Sequence, residues 1–177
     1  LSEPDNGIGD AWNKGLKIAK GNVIGLLNAD DMYHPKALEV IKNQIEKDTA
    51  PKIYYGTCKF IENHQIVGVN NKKFNSKNLI RGFGFTHTAC FVPKKVYEKV
   101  GAFNIDTKIA VDTEFLLRCY KAKIEFKQLT NITYMSLGGV SDKKAKLAYF
   151  EYLNILENLE LENKQKIKNT KRLYSIY

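Results

Sequence analysis

The chain has 177 residues, 44% of them hydrophobic and 27% charged, with a formal net charge of +9. That length and composition suit a globular domain with its own core, and no apolar run approaches the roughly 20 residues of a membrane-spanning helix. The positive balance favours anionic partners such as phosphates, nucleic acid or an anionic membrane surface, although lysines spread along the chain also describe a solvated face.

Leu1-Ser2-Glu3-Pro4-Asp5 has neither the basic start nor the apolar stretch of a signal peptide, and the lack of an initiator Met fits a chain that begins partway through a longer protein. Residues 9–20 place Ala11/Trp12, Gly15/Leu16 and Ala19 on one face, which predicts a helix closed by Gly21. Val23-Ile24-Gly25-Leu26-Leu27 is a continuous apolar run, the pattern of a parallel strand buried on both faces. It ends at Asn28-Ala29-Asp30-Asp31, and Pro35 opens a helix to about Lys47. Residues 52–61 and 65–69 predict a strand pair around Glu62-Asn63-His64-Gln65. A polar loop with one short helix spans 70–84, followed by a strand at 86–92 and a helix at 93–99. A helix begins near Asp112 and turns Phe115, Leu116, Cys119 and Ala122 inward, and 124–136 hold one or two strands. From about Asp142 to Arg172 the pattern is helical and charged, with Leu147, Phe150, Leu153, Leu156 and Leu159 as its apolar stripe.

Alternating strands and helices make the class α/β. A buried parallel strand needs neighbours on both sides, and only one helix precedes the first strand here, so the sheet is expected to lack strands. Cys58, Cys90 and Cys119 form no CxxC pair, which predicts buried free thiols in a reducing compartment. His34, His64 and His87 are not clustered near them, which argues against a zinc site.

Two adjacent carboxylates, Asp30 and Asp31, lie where open α/β sheets bind ligands, beyond the carboxyl end of a strand. As hard oxygen donors they suit Mg²⁺ or Mn²⁺ bridged to a substrate diphosphate. The same residues would also serve as an ordinary turn and helix cap. Context favours the ligand reading. The run Ser2-Glu3-Pro4-Asp5-Asn6-Gly7-Ile8-Gly9-Asp10-Ala11-Trp12-Asn13-Lys14-Gly15, then Ala19-Lys20-Gly21-Asn22 and Leu27-Asn28-Ala29-Asp30-Asp31, resembles the central block of family 2 glycosyltransferases. His87–Val92, Val96–Phe103, Ile109–Arg118 and Leu137-Gly138-Gly139-Val140-Ser141 resemble later blocks of that family in the same order, so the resemblance covers residues 2–141.

The resemblance implies a GT-A-type, Rossmann-like mixed sheet flanked by helices and missing its first βαβ part. Residues 1–141 would form the partial GT-A domain and 142–177 a charged helical segment. The implied function is transfer of a sugar from a nucleotide-sugar donor to a glycan or lipid-linked acceptor. It would be metal-dependent and inverting, and would serve cell-surface polysaccharide synthesis from the cytoplasmic side. Asp30, at the last position of the acidic triplet, is implied as the ligand of Mn²⁺ or Mg²⁺. Asn28 stands where the family usually has Asp; it can still hydrogen-bond a nucleotide but lacks the charge. Asp31 is expected to cap the next helix or to support the metal from behind. Asp5 and Asn13 match positions near the donor, with a plain helix-surface residue as the equal alternative for Asn13 and a helix cap as the role of Asp10.

Asp112 matches the catalytic base. Inversion is a direct displacement, and a carboxylate takes the proton of the acceptor hydroxyl as that oxygen attacks. A helix start stabilises such a charge, and a plain N-cap is the alternative role. Glu114 is the reserve candidate. His87 matches a position near the acceptor, and Arg81 would meet a phosphate or remain a solvated loop charge. The histidine that some members supply to the metal near Gly138-Gly139 has no counterpart among Met135, Ser136 and Leu137. With the front of the nucleotide-binding half missing, the sheet edge should be open and this chain alone should not turn over donor. The alternative is a degenerate, non-catalytic nucleotide-sugar-binding fragment. No nucleic-acid partner is expected, because there is no compact basic patch or RNA-binding aromatic motif. The basic tail, Lys164 to Arg172, is either a solvated helix end or a peripheral contact with anionic lipid.

Overall fold

The computed structural model describes residues 2–138 and 143–175. Gly139, Val140 and Ser141, which close the last family-like block, and Asp142, where the charged segment is expected to begin, lie outside the described residues.

The centre of the sheet is β3 (Ile53–Glu62), which runs parallel to β6 (Phe126–Ser136) and antiparallel to β4 (Gln65–Asn70) and β5 (Cys90–Pro93). With β1 (Val23–Gly25) and β2 (Met32–Tyr33) the path is β1-β5-β3-β6-β2, and β4 also lies on β3. The hairpin expected around residues 62–65 is present. Its two turn residues, Asn63 and His64, both have positive φ (50° and 63°), as a two-residue turn matched to strand twist requires.

The first strand differs from expectation. β1 is three residues long, pairs antiparallel with β5 alone, and buries Ile24 while Gly25 is exposed. Apolar content reports how much of a strand is covered, and it carries no information about the direction of its neighbour. Among the described residues, the other edge of β1 is open.

The two faces of the sheet follow the two-residue period of its strands. Tyr54, Phe91 and Ile132 pack under Ala37 and Ile41 of α2 (Ala37–Ile45). Ile53 and Val92 face the larger cluster. That cluster is built by α3 (Lys94–Val100), α4 (Val111–Lys121), α5 (Ala145–Asn158) and α6 (Lys164–Ser175). Phe115 and Leu117 of α4, Leu153 and Leu156 of α5 and Ile167 of α6 are all buried in it. Trp12 and Leu16 of α1 (Ile8–Ile18) pack against its rim. At Gly9 the approach is so close that a Cβ would sit 3.1 Å from the carbonyl oxygen of Asn104. Cys58, Cys90 and Cys119 are buried and free.

The stripe expected on α5 is corrected by the packing. Leu147 is 58% exposed, and Tyr149 and Tyr152 share the inward side with Leu153 and Leu156. Steps of three residues fall behind a helical turn by about 60° each, which leaves Leu147 roughly 120° from Leu153. In α6, Lys166 pairs with Glu162 at 2.7 Å and Lys171 with Glu157 at 2.7 Å, so part of the basic tail is matched within its own hairpin of helices. No helix among the described residues is long and apolar enough to cross a membrane.

Candidate active site

After β1 the chain turns through Asn28–Asp31, closed by the Asp31 N–H donating to the Asn28 carbonyl at 3.1 Å. Asp31 is buried. Its Oδ1 accepts from the Ser136 N–H at 3.0 Å and its Oδ2 from the Asn28 amide at 3.0 Å. Ser136 also donates its hydroxyl to the Asp30 carbonyl at 2.7 Å. The last residue of β6 therefore latches the acidic turn from 105 residues away. Burial pushes the Asp31 carboxyl above the usual range, the two hydrogen bonds oppose that rise, and the charge of Asp30 adds to it. Asp31 does not cap the next helix, because α2 starts only at Ala37 with Lys36 in the cap position. Its role is to hold the turn, and the turn leaves Asp30 exposed at its tip.

The donor set decides what kind of cation this turn can hold. Among the described residues no group of three His, Cys, Asp or Glu could hold a metal unaided. One exposed carboxylate instead fits Mg²⁺ or Mn²⁺, ions that keep several waters and take much of their coordination from substrate phosphates.

Across from the turn, α4 begins at Val111 with Ala110 as its cap, so Asp112 is the second helical residue and not the N-cap. His87 Nδ1 lies 3.1 Å from Asp112 Oδ2, and the Thr113 hydroxyl donates to Asp112 Oδ1 at 3.2 Å. Burial opposes charge on both partners, but their mutual attraction prevails. The imidazole pKa is raised and the carboxyl is held below the usual carboxylate range. Asp31 adds to the field on His87, and His87 in turn acts on Asp31. Asp31 of the turn and Asp112 of α4 thus both act electrostatically on His87. Trp12 packs its ring 5.4 Å from that of His87. His87 Nε2 is buried and has no hydrogen-bond partner among the described residues. A cavity of about 20 Å³ next to the pair, walled by Ile24, Leu26 and Phe103 among others, has room for a single water.

The presentation of Asp112 depends on α5. The carboxylate of Glu151 accepts from the backbone N–H groups of Lys108, Ile109 and Ala110 at 2.8, 2.8 and 2.7 Å. Burial raises the Glu151 pKa, but these donors prevail and hold it low. Glu114, the reserve candidate for the base, is committed elsewhere. It is buried, and Arg118 donates to its two oxygens at 2.7 and 2.9 Å. Arg118 also donates to the carbonyls of Val100 and Ala102, tying α4 to the end of α3.

The remaining expected positions lie on the α1 side. Asp5 is exposed and accepts from the Gly7 N–H at 2.9 Å, an Asx turn before the helix. Asn13 uses both ends of its amide on Phe103, donating to its carbonyl and accepting from its N–H at 2.9 Å each. Asp10 is not the cap of α1: Gly7 is, and Asp10 reaches back to the Asn6 N–H at 2.9 Å and pairs with Lys14. Asn28 turns its amide toward Asp31. Three residues that frame the site carried little signal. Ser136 looked like a strand terminus and Glu151 like one acid among many on a charged helix. Arg118 stood out only as the end of a family-like block, and its spacing of four from Glu114 was the signal that could have found the pair.

A mixed sheet covered by helices, with acids gathered beside strand ends, is the architecture of a ligand-binding α/β enzyme domain. Residues 1–101 match the family model described as Glycosyl transferase family 2, and the chain belongs to that family. It is similar to the chondroitin synthase of Pasteurella multocida (strain Pm70), 28% identical over 137 residues, which are 76% of this chain and 14% of that protein. It is also similar to the PGL/p-HBAD biosynthesis glycosyltransferase of Mycobacterium bovis (strain BCG / Pasteur 1173P2), 23% identical over 148 residues, 79% of this chain and 55% of that protein. Among solved structures, S. aureus TarS 1–349 in complex with UDP-GlcNAc superimposes with a TM-score of 0.69 at 16% identity, over 93% of this chain and 50% of that one. The expected GT-A-like fold is therefore the fold found. The chain spans only a minor part of the synthases it matches and about half of the TarS structure.

Proposed function

We propose that this chain carries the acceptor-activating base and the metal-binding acid of a glycosyltransferase that moves a sugar from a nucleotide-sugar donor to a glycan or lipid-linked acceptor. The observation that carries the proposal is the His87–Asp112 pair, set beside the Asp30–Asp31 turn in a chain of this family. The TarS structure that it resembles in fold holds UDP-GlcNAc, and relatives named as chondroitin synthases support a role in polysaccharide synthesis.

The chemistry follows from the ionisation of the pair. The acceptor oxygen bonds to the anomeric carbon of the donor from the face opposite the diphosphate. The bond to the diphosphate breaks, its electron pair leaves on the nucleoside diphosphate, and Asp112 takes the hydroxyl proton. A carboxyl held below its usual range is ionised at neutral pH and ready to accept that proton. It is also a weak base, so the proton moves late, once bonding to carbon has made the hydroxyl acidic. His87 holds the carboxylate in one orientation. Asp30 would hold Mn²⁺ or Mg²⁺, which when bound neutralises charge on the departing diphosphate.

The test is sugar transfer and donor binding by the full gene product and its Asp112→Asn variant. Transfer should collapse while donor binding survives; transfer that persists would sink the assignment of the base. A second reading, a binding module without chemistry, is favoured by Asn28 at a position usually acidic. Metal-dependent donor binding by the unmodified protein, with no transfer to any acceptor, would select it.

A further inference from the structure

Two clefts meet at Arg81. The first, about 330 Å³, runs from Asp112 and Thr113 past Phe83, Phe85 and Tyr149 to Arg81. The second, about 410 Å³, continues from Arg81 to Lys72, Lys73, Asn75 and Asn78. Both include Arg81, Gly82 and Phe83, so one path leads from Asp112 across the loop that follows β4.

The charge along this path is one-sided. Among the described residues that line it, Asp112 is the only carboxylate, whereas Lys72, Lys73 and Arg81 line it as cations. All three cations are exposed, and none has an ion-pair partner among the described residues. Exposed lysines alone describe any solvated loop, but the backbone carrying Arg81 is held in place. Asn75 accepts from the Lys77 N–H at 3.0 Å to start the 3₁₀ segment Ser76–Arg81, and Gly82, with φ of 92°, ends it. From α5, Tyr149 donates its hydroxyl to the Ile80 carbonyl at 2.7 Å and Tyr152 donates to the Leu79 carbonyl. The helix that fixes the approach to Asp112 through Glu151 therefore also clamps the turn that presents Arg81. Between them, the half-buried rings of Phe85 and Tyr149, backed by the buried Phe83, give the cleft an aromatic lining on which a pyranose ring can rest.

We propose that this path is the acceptor site and that the acceptor is an anionic glycan, with carboxylate or phosphate groups along its chain. Its terminal hydroxyl lies at Asp112, its last sugars on the aromatic surface, and its charges at Arg81 and then Lys72 and Lys73. The proposal rests on the assignment of Asp112 as the base that faces the acceptor. It adds the chemical class of that acceptor and the residues that select it.

The experiment measures binding of three oligosaccharides of equal length to the full gene product: hexagalacturonate, 6-phosphorylated maltohexaose and neutral maltohexaose. At least one anionic hexamer should bind about tenfold more tightly than the neutral one at low salt, and the preference should shrink at high salt. Which anion wins identifies carboxylate or phosphate as the natural charge. Arg81→Gln should abolish most of the preference and Arg81→Lys should retain part of it, with donor KM unchanged in both. Equal affinity for all three hexamers, or a rise in donor KM with acceptor affinity intact in Arg81→Gln, overturns the proposal. The parent assignment fails separately, through transfer that survives in Asp112→Asn whatever the hexamers do.

Discussion

The acidic turn after β1 and the start of α4 each place two carboxylates close together in sequence, and the fold treats the two members differently in both. In the turn, Asp31 is buried on neutral donors, the Asn28 amide and the Ser136 N–H, while Asp30 is exposed. In the helix, Glu114 is buried on a guanidinium, and Asp112 is half-buried beside His87. One acid of each pair builds the frame, and on the function proposed above the other is left for chemistry. The two available acids then differ in their own surroundings. Asp112 has the His87 imidazole, whose contact favours its charged form, whereas Asp30 is exposed to solvent. On the function proposed here that contrast is physical: a metal supplies the counter-charge at Asp30, while at Asp112 the protein must supply it.

The comparison can be broken at four points, taken from the largest effect. Asp112→Asn should lower transfer about 10³-fold, roughly 4 kcal/mol of barrier, and change folding stability by no more than about 1 kcal/mol in a urea titration. Arg118→Ala leaves Glu114 buried without its partner and should cost about 3 kcal/mol of stability. A loss below about 1 kcal/mol would show that Glu114 is not part of the frame. Asp31→Ala strips two donors of their acceptor and should cost about 2 kcal/mol, against less than about 0.5 kcal/mol for Asp30→Ala; equal costs would erase the distinction drawn within the turn.

The smallest effect is the pH dependence of the His87–Asp112 pair. Asp112 is lowered from an ordinary 3.8, so its contribution is complete above that value and disappears as pH falls through the folded pKa. His87 is raised from an ordinary 6.5, so its contribution is complete below that value and disappears as pH rises through the folded pKa. The stability difference between the unmodified protein and His87→Gln should therefore be greatest, about 1 kcal/mol, between these two values and shrink on either side. A difference that is flat from acid to alkaline pH would show that the pair is not ionised.

Much of this molecule is visible in local pattern. The order of family-like blocks, the α/β class, the Asn63–His64 turn and the inward face of α4 are encoded within a few neighbouring residues, where spacing and backbone preference act directly. Burial of the three cysteines was likewise expected, from their odd number and the lack of a CxxC pair. The pairing of β1, the latch of Ser136 on Asp31 and the hold of Glu151 on the approach to Asp112 were decided only in three dimensions. Each joins residues far apart in the chain, and a carboxylate on a charged helix looks the same in sequence whether it meets water or three backbone N–H groups. Which of two neighbouring acids is buried, and against what, depends on elements that arrive from elsewhere in the fold; local sequence can place an acid near a site but cannot say which partner will neutralise it.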